Sequence, residues 1–244
     1  KKAIIEIISI ILVHTKYGGF FYTSQNYDYY ESSIYTDIRD DSYNLDKFSL
    51  TENLKFMTRK NAIKWVKKQL QDINFNLGEV EYNCYAIKNE QLKKNEKHYD
   101  VDGTINSKIQ KRNWSEKDDC YYISIRQKVN GIVEYHEFEG EFQNYEDSKA
   151  SVVAIVSKRG FEYIEITSAF DFGNVNKTVS IKNPQDILDN ISTQYSNIEG
   201  EEKYSIMSFS YVIILTQGKD KVTPIYECYM LEKNKNGISR LQLF

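Results

Sequence analysis

Three features of the 244-residue chain predict an α+β fold of two helix-on-antiparallel-sheet units. Two stretches, 58 to 73 and 183 to 195, place apolar residues at three- and four-residue spacing, which gathers them on one side of a helix. Runs rich in Val, Ile, Tyr and Phe lie between and after them, separated by short turns bearing Gly or Asn, as hairpins require. The order helix, strand, hairpin also occurs twice, from about Thr58 to Phe142 and from Pro184 to Phe244, so a tandem duplication is a hypothesis at this level. The corresponding boundaries are 1–150 for an N-terminal helix-plus-sheet unit and 151–244 for a C-terminal one packed with it.

The opening run, KKAIIEIISIILV, sets two lysines before apolar residues in the manner of a secretory leader. Glu6 interrupts it and no small-residue cleavage site follows, so it is expected as a strand or short helix of the fold; it is too short to span a membrane. Tyr27, Tyr29, Tyr30 and Tyr35 crowd the next region, and Tyr121, Tyr122 and Tyr135 flank a later turn. They are expected as half-buried strand residues, since tyrosine favours strands. In TRKNAIKWVKKQLQDI, Ala62, Ile63, Val66, Leu70 and Ile73 share one face of a helix that Thr58 can cap. Past Gly78, NLGEVEYNCYAI switches to period two and reads as a strand.

YYISIRQKV and IVEYHEFEGEF flank Asn130-Gly131, two residues that tolerate the positive φ of a type I′ turn. A second hairpin is expected at SVVAIVS-KRG-FEYIEIT, with Gly160 in its turn. Asn183-Pro184-Gln185-Asp186 then starts a helix, with Asn as cap, Pro in the first turn and Asp at the positive end of the dipole. Three strand runs follow as an antiparallel meander, in which Pro224 calls for an edge or strand-start position.

Composition removes several classes. Hydrophobic residues at 41% and aromatics at 14% exclude a disordered chain. A net charge of -3 gives no global basic field, which argues against nucleic acid as a general partner. Cys84, Cys120 and Cys228 lie far apart and lack the close pairing of zinc or redox sites. They are expected as small buried apolar residues.

Two chemistries need weighing. Asp100-Val-Asp102-Gly103-Thr104 is similar to the opening motif of the haloacid-dehalogenase phosphatases, in which the first Asp attacks phosphorus and the second moves a proton. That site needs an Asp at the end of a buried parallel strand, whereas QLKKNEKHY, which precedes it here, is charged. Asp118-Asp119, the nearest later acidic pair for magnesium, follows too soon for the intervening units. A calcium loop fails as well, because Gly103 comes at the fourth place and Lys111 stands where a bidentate Glu belongs. An Asp-Gly turn in a polar connection accounts for the letters. In HEFEGEF, His136 points away from Glu137, Glu139 and Glu141 on a strand, so a metal site is not expected. A thiol hydrolase would need one of the cysteines beside His14, His98 or His136, and no local spacing aligns them.

The segments NAIKWVKKQLQDI leading into VEYNCYAI, then the Asn-Gly hairpin, then PQDILDNISTQY leading into YVIILTQGKDKVTPIYECYML, resemble extracytoplasmic regulatory and lipoprotein modules of Firmicutes of YycI/YycH and PepSY-like type. The resemblance runs from Thr58 to Phe244. It implies a helix packed on an antiparallel sheet, often in tandem, in a domain that binds or restrains other proteins outside the membrane. The expectation is therefore a non-catalytic, extracytoplasmic binding or regulatory module for a protein, peptide or glycan, with any membrane tether supplied by a segment outside these residues. No residue is assigned to catalysis, to a cofactor or to a metal. The alternative is an enzyme, either a phosphotransferase using Asp100 and Asp102 or a thiol hydrolase.

Overall fold

The computed structural model describes residues 12–14, 19–37, 42–43, 47–100, 103–136, 150–166, 180–196, 203–215, 222–233 and 239–243. In chain order these form β1 (Leu12–His14), β2 (Gly19–Thr23), α1 (Tyr27–Ile34), β3 (Tyr35–Asp37), β4 (Ser42–Tyr43), α2 (Arg59–Asp72), β5 (Val80–Ile87), α3 (Asn89–Asn95), β6 (Cys120–Val129), β7 (Ile132–His136), β8 (Val152–Ser157), β9 (Gly160–Ile166), α4 (Pro184–Ser196), β10 (Lys203–Leu215), β11 (Val222–Lys233) and β12 (Ser239–Leu243). The fold class is α+β, as expected. Two compact units divide the chain: Lys1–Lys128 with Phe138–Phe170, and Val129–Glu137 with Asp171–Phe244. The boundary expected after residue 150 falls inside the first of them, because β8 and β9 pair with strands of that unit. The leader-like residues 1 to 11 lie outside the described residues.

The first unit is an antiparallel sheet in the order β5-β6-β8-β9-β2-β1. Helix α2 covers one face and α1 with α3 the other. Strand periodicity sorts the core accordingly: Tyr121, Ile123 and Ile125 of β6 join Cys84 and Ala86 of β5 and Ala62, Val66 and Leu70 of α2. Cys120 and Tyr122 join Tyr85, Ile87, Tyr30 and Ile34 of α1, and Leu92 of α3. A sheet buried on both faces explains why VVAIVS of β8 is buried throughout, with no apolar-polar alternation. Each large side chain so buried stabilises by about 1.5–3 kcal/mol relative to exposure.

Local chemistry sets the element ends. Asn61 N–H donates to Thr58 Oγ1 at 3.3 Å, the expected cap of α2. Asn74 closes that helix with a left-handed φ of +61° while Phe75 N–H donates to Leu70 O. Asn130 and Gly131 have φ of +52° and +80°, and Gly160 has +116°, as the two expected turns require. The free edge of β5 is partly paired, since Ala86 N–H donates to Ser49 O at 2.8 Å.

The second unit carries α4, capped through Gln185 N–H to Asn183 Oδ1 at 3.0 Å. Its strands β10, β11 and β12 form the expected antiparallel meander. Among the described residues Pro224 pairs toward β10, opposite Ile213, and β12 meets β11 from Tyr229 onward, which gives Pro224 the edge position near the strand start that it calls for. One expectation is corrected: β7 lies parallel to β10, Val212 opposite Val133, so this unit's sheet is mixed and not purely antiparallel. Among the described residues the two units share helix-strand-strand order but no common topology. A second correction concerns Tyr27, Tyr29 and Tyr30, which are helical in α1 and not in a strand.

Candidate functional site

Among the described residues a dense polar group lies in the first unit, where the β8-β9 turn meets the start of α1 and the turn before β6. Glu162, on β9 and 1% exposed, accepts four bonds: from Ser24 Oγ (2.5 Å), Asn26 Nδ2 (3.3 Å), Ser157 Oγ (2.5 Å) and Arg159 Nε (2.7 Å). Asp118 accepts from Arg112 Nη2 (2.9 Å), Arg159 Nη1 (3.0 Å) and both Ser115 N–H and Oγ (2.9 Å each). Burial raises the Asp118 carboxyl, but bonds from Arg112 and Ser115 and the Arg112 charge outweigh it and hold the group below the usual range. Tyr30 ties the two together, donating to Asp118 O at 3.0 Å and accepting from Arg159 Nη2 at 2.8 Å. Carboxylates so saturated with donors have no lone pair free to take a substrate proton; they hold the turns in place.

A second buried carboxylate, Glu96, follows α3. It accepts from Trp114 Nε1 (2.8 Å) and Arg112 N–H (2.9 Å), and His98 Nε2 lies 2.8 Å away. The Arg112 guanidinium sits over the rings of Tyr29 and Trp114, 5.1 and 5.4 Å from their centroids, which compensates its buried Nε, left without a hydrogen bond. Glu96 thus pins both ends of the 98–112 connection to the first unit.

Among the described residues, those singled out by sequence do not converge. Asp100 is exposed in a tight polar turn: its N–H donates to Thr104 O at 2.8 Å, its carbonyl accepts from Gly103 N–H at 2.7 Å, and its carboxylate accepts from Asn106 Nδ2 at 2.6 Å. This is the polar connection expected, and no strand ends at Asp100. Asp102 lies outside the described residues, as do Glu137, Glu139 and Glu141. Asp119 is taken by Asn89, whose N–H and Nδ2 both donate to it at 2.8 Å. Cys84, Cys120 and Cys228 are free and buried. Burial pushes the Cys84 thiol up to about 11 against the partial opposition of Arg59, and pushes Cys120 and Cys228 upward too. His98 is engaged by Glu96. Among the described residues no three His, Cys, Asp or Glu side chains gather as metal ligands. Tyr30, Tyr121 and Tyr122 are fully buried, and Tyr27 stacks on Tyr163 with ring centroids 4.5 Å apart.

The concave feature of the second unit was not foreseen. A groove of about 420 Å3 opens between α4 and the sheet, lined by Ile191 and Tyr195 on the helix and Tyr204, Ile206 and Met230 on β10 and β11. Ser192 and Ser196 form its polar lip. The Tyr195 and Tyr204 rings are 4.6 Å apart and tilted by 59°, while Ile206 is 42% exposed. The sequence signal for it is the apolar helix face Ile187, Leu188, Ile191 and Tyr195, of which Ile191 is buried in the core of this unit and Ile187 and Tyr195 pack against it.

No family model and no curated protein matches the sequence. The fold is similar to the crystal structure of an uncharacterized protein from Eubacterium rectale ATCC 33656, with a TM-score of 0.63 and 15% sequence identity over 93% of this chain. This chain spans 63% of the length of that protein. At that identity the likeness concerns the fold alone. Among the described residues, no helix is long and apolar enough to cross a membrane.

Proposed function

We propose that the protein is a non-catalytic binding module, working outside the cytoplasm, that takes an apolar side chain of a peptide or protein segment into the α4 groove. The observation that carries this reading is the groove itself. A volume of about 420 Å3 is within the range of ligand pockets, and walls of Ile, Met and Tyr with a serine lip suit an apolar anchor flanked by main-chain hydrogen bonds. A glycan would ask for planar polar donors along the walls, where Ile191, Ile206 and Met230 stand. The saturation of Glu162, Asp118 and Asp119 by fixed donors and the raised thiols favour binding over group transfer. The extracytoplasmic location rests on the resemblance of the helix-strand segments to the regulatory modules named above.

Selection of a displayed peptide library on the full chain, repeated with Ile206→Asp, tests the site. Enrichment of peptides with a shared apolar anchor, lost in the variant, is expected. No enrichment, or enrichment indifferent to Ile206→Asp, contradicts the reading, as does binding of a glycan panel alone. Fractionation of the source organism tests location, and a purely cytoplasmic protein would refute that part.

A further inference from the structure

We propose that the open half of the β5 edge takes the C-terminal segment of a partner protein as an added parallel strand, with Arg59 holding its terminal carboxylate. The site lies in the first unit and is independent of the α4 groove. Three contacts fix the hydrogen-bonding directions along β5. Lys128 N–H donates to Glu79 O at 2.8 Å, which in this register turns the main-chain groups of the odd-numbered residues toward β6. Ala86 N–H donates outward to Ser49 O at 2.8 Å, and Cys84 O accepts from Arg59 Nε at 3.0 Å. The N–H and C=O groups of Val80, Tyr82, Cys84 and Ala86 therefore face away from β6. At Cys84 and Ala86 that edge is closed, and both residues are fully buried. At Val80 and Tyr82 it is open: among the described residues nothing bonds their outward groups, Tyr82 is 45% exposed and Asn83 is exposed.

Bare sheet edges are ordinarily blunted by lysine, proline or a bulge. Residues 80–83 have none of these: their register with β6 is unbroken, and their one charge, Glu81, pairs with Arg126 of β6 at 3.2 Å. Unpaired donors and acceptors that recur at every second residue fit an extended main chain. The Tyr82 ring projects on the same face as Val80, which packs at the margin of the α2 core, and offers the added strand an apolar side-chain contact.

The closed end decides which part of a chain fits. Arg59 and Ser49 occupy the edge beyond Asn83, so an added strand stops there, as a chain terminus does. Arg59 stands at that stop, half-exposed in the first turn of α2, and among the described residues no carboxylate meets its guanidinium. Glu52, from the segment leading into α2, is taken by Lys88. A guanidinium at the Cys84 end selects the carboxylate terminus, so the segment runs parallel to β5. Its last N–H then donates to Tyr82 O, and Tyr82 N–H donates to the carbonyl two residues earlier. A second copy of this chain fits less well: antiparallel pairing about Tyr82 would set Val80 of one copy against Cys84 of the other, whose carbonyl Arg59 covers.

Selection of short random peptides displayed with free C-termini on the full chain tests the proposal. The best peptide is then made as the free acid, as the C-terminal amide, and with its last backbone nitrogen methylated, and each is titrated by fluorescence polarisation. Enrichment is expected, with both modified forms bound about tenfold or more weakly than the acid. Arg59→Gln should weaken the acid about tenfold and leave the amide unchanged. Tyr82→Pro removes an N–H that makes no ladder bond, so circular dichroism should stay as in the wild type while binding is lost. Methylation of the peptide reads the same edge contact without any change to the protein. Ile206→Asp should leave binding intact; a loss there would put the peptide in the α4 groove and overturn the proposal. No enrichment, equal affinity for acid and amide, or binding indifferent to Arg59→Gln overturns it too. A dimer in sedimentation velocity that Tyr82→Pro dissolves would assign the edge to a second copy and overturn it as well.

Discussion

The two units treat their interiors differently. In the first, both sheet faces are covered, and buried carboxylates at Glu162, Asp118 and Glu96 each meet several fixed donors. In the second, the described core is Ile191, Cys228 and Met230, with Ile187, Tyr195, Tyr204 and Phe209 leaning on it, and a groove stays open beside them. The covered sheet thus holds its turns through a lattice of many fixed polar contacts, whereas α4 leaves Ile187, Leu188 and Tyr195 of its apolar face partly exposed.

The strongest way to break this contrast is to remove the lattice. Glu162→Ala leaves Arg159 and two serines without their acceptor and should cost about 3–5 kcal/mol, read from urea unfolding followed at first-unit reporters. A loss under about 1 kcal/mol would mean that the network is surface-like and does not hold the turns.

A smaller, paired effect sharpens the difference. Ile155 is fully buried between β6 and β9, so Ile155→Ala should cost about 2–5 kcal/mol. Ile191 lines the groove, so solvent can fill what its truncation leaves, and Ile191→Ala should cost closer to about 1–2 kcal/mol. Equal losses in denaturant titrations of the two variants would erase the distinction.

How much of this was readable in advance follows the range of the forces involved. Thr58 and Asn183 mark helix starts and Asn130-Gly131 and Gly160 mark turns because caps and positive φ are decided within a few residues. Helix α1 was hidden since YDYYESSI is a strand-like composition, and it is helical through packing of Tyr30 and Ile34 on the sheet. Helix α3 has one buried apolar residue, Leu92, too little for a periodic signal. The pairing of β2 with β9 and the parallel register of β10 on β7 join segments far apart in the chain, which no local pattern encodes. The Asp118-Glu162 lattice escaped for the same reason: Arg112, Arg159 and the segment holding Asn26 and Tyr30 come from three separate stretches. Asp100 is the converse case, a short motif whose letters were visible and whose context, a polar turn, gave them their meaning.

The smallest expected effect is confined to acid. Arg112 and Ser115 hold the native Asp118 carboxyl below its usual range despite its burial, whereas in the unfolded chain it returns to about 3.9. The unfolded state therefore binds the proton first as pH falls, and the stability Asp118 supplies is complete above that unfolded value and is lost as pH drops through the native one. Asp118→Asn cannot titrate, so the stability gap between wild type and variant should be constant from about pH 7 to 5 and should close below about pH 4. Hydrogen exchange of β8 and β9 amides across this range reads the gap locally, and β10 to β12 amides supply the comparison. A gap that persists undiminished at the lowest pH would mean that Asp118 contributes through shape and not charge. A gap that closes equally in β10 to β12 would mean that the second unit draws on the same lattice, and the contrast between the units would fail.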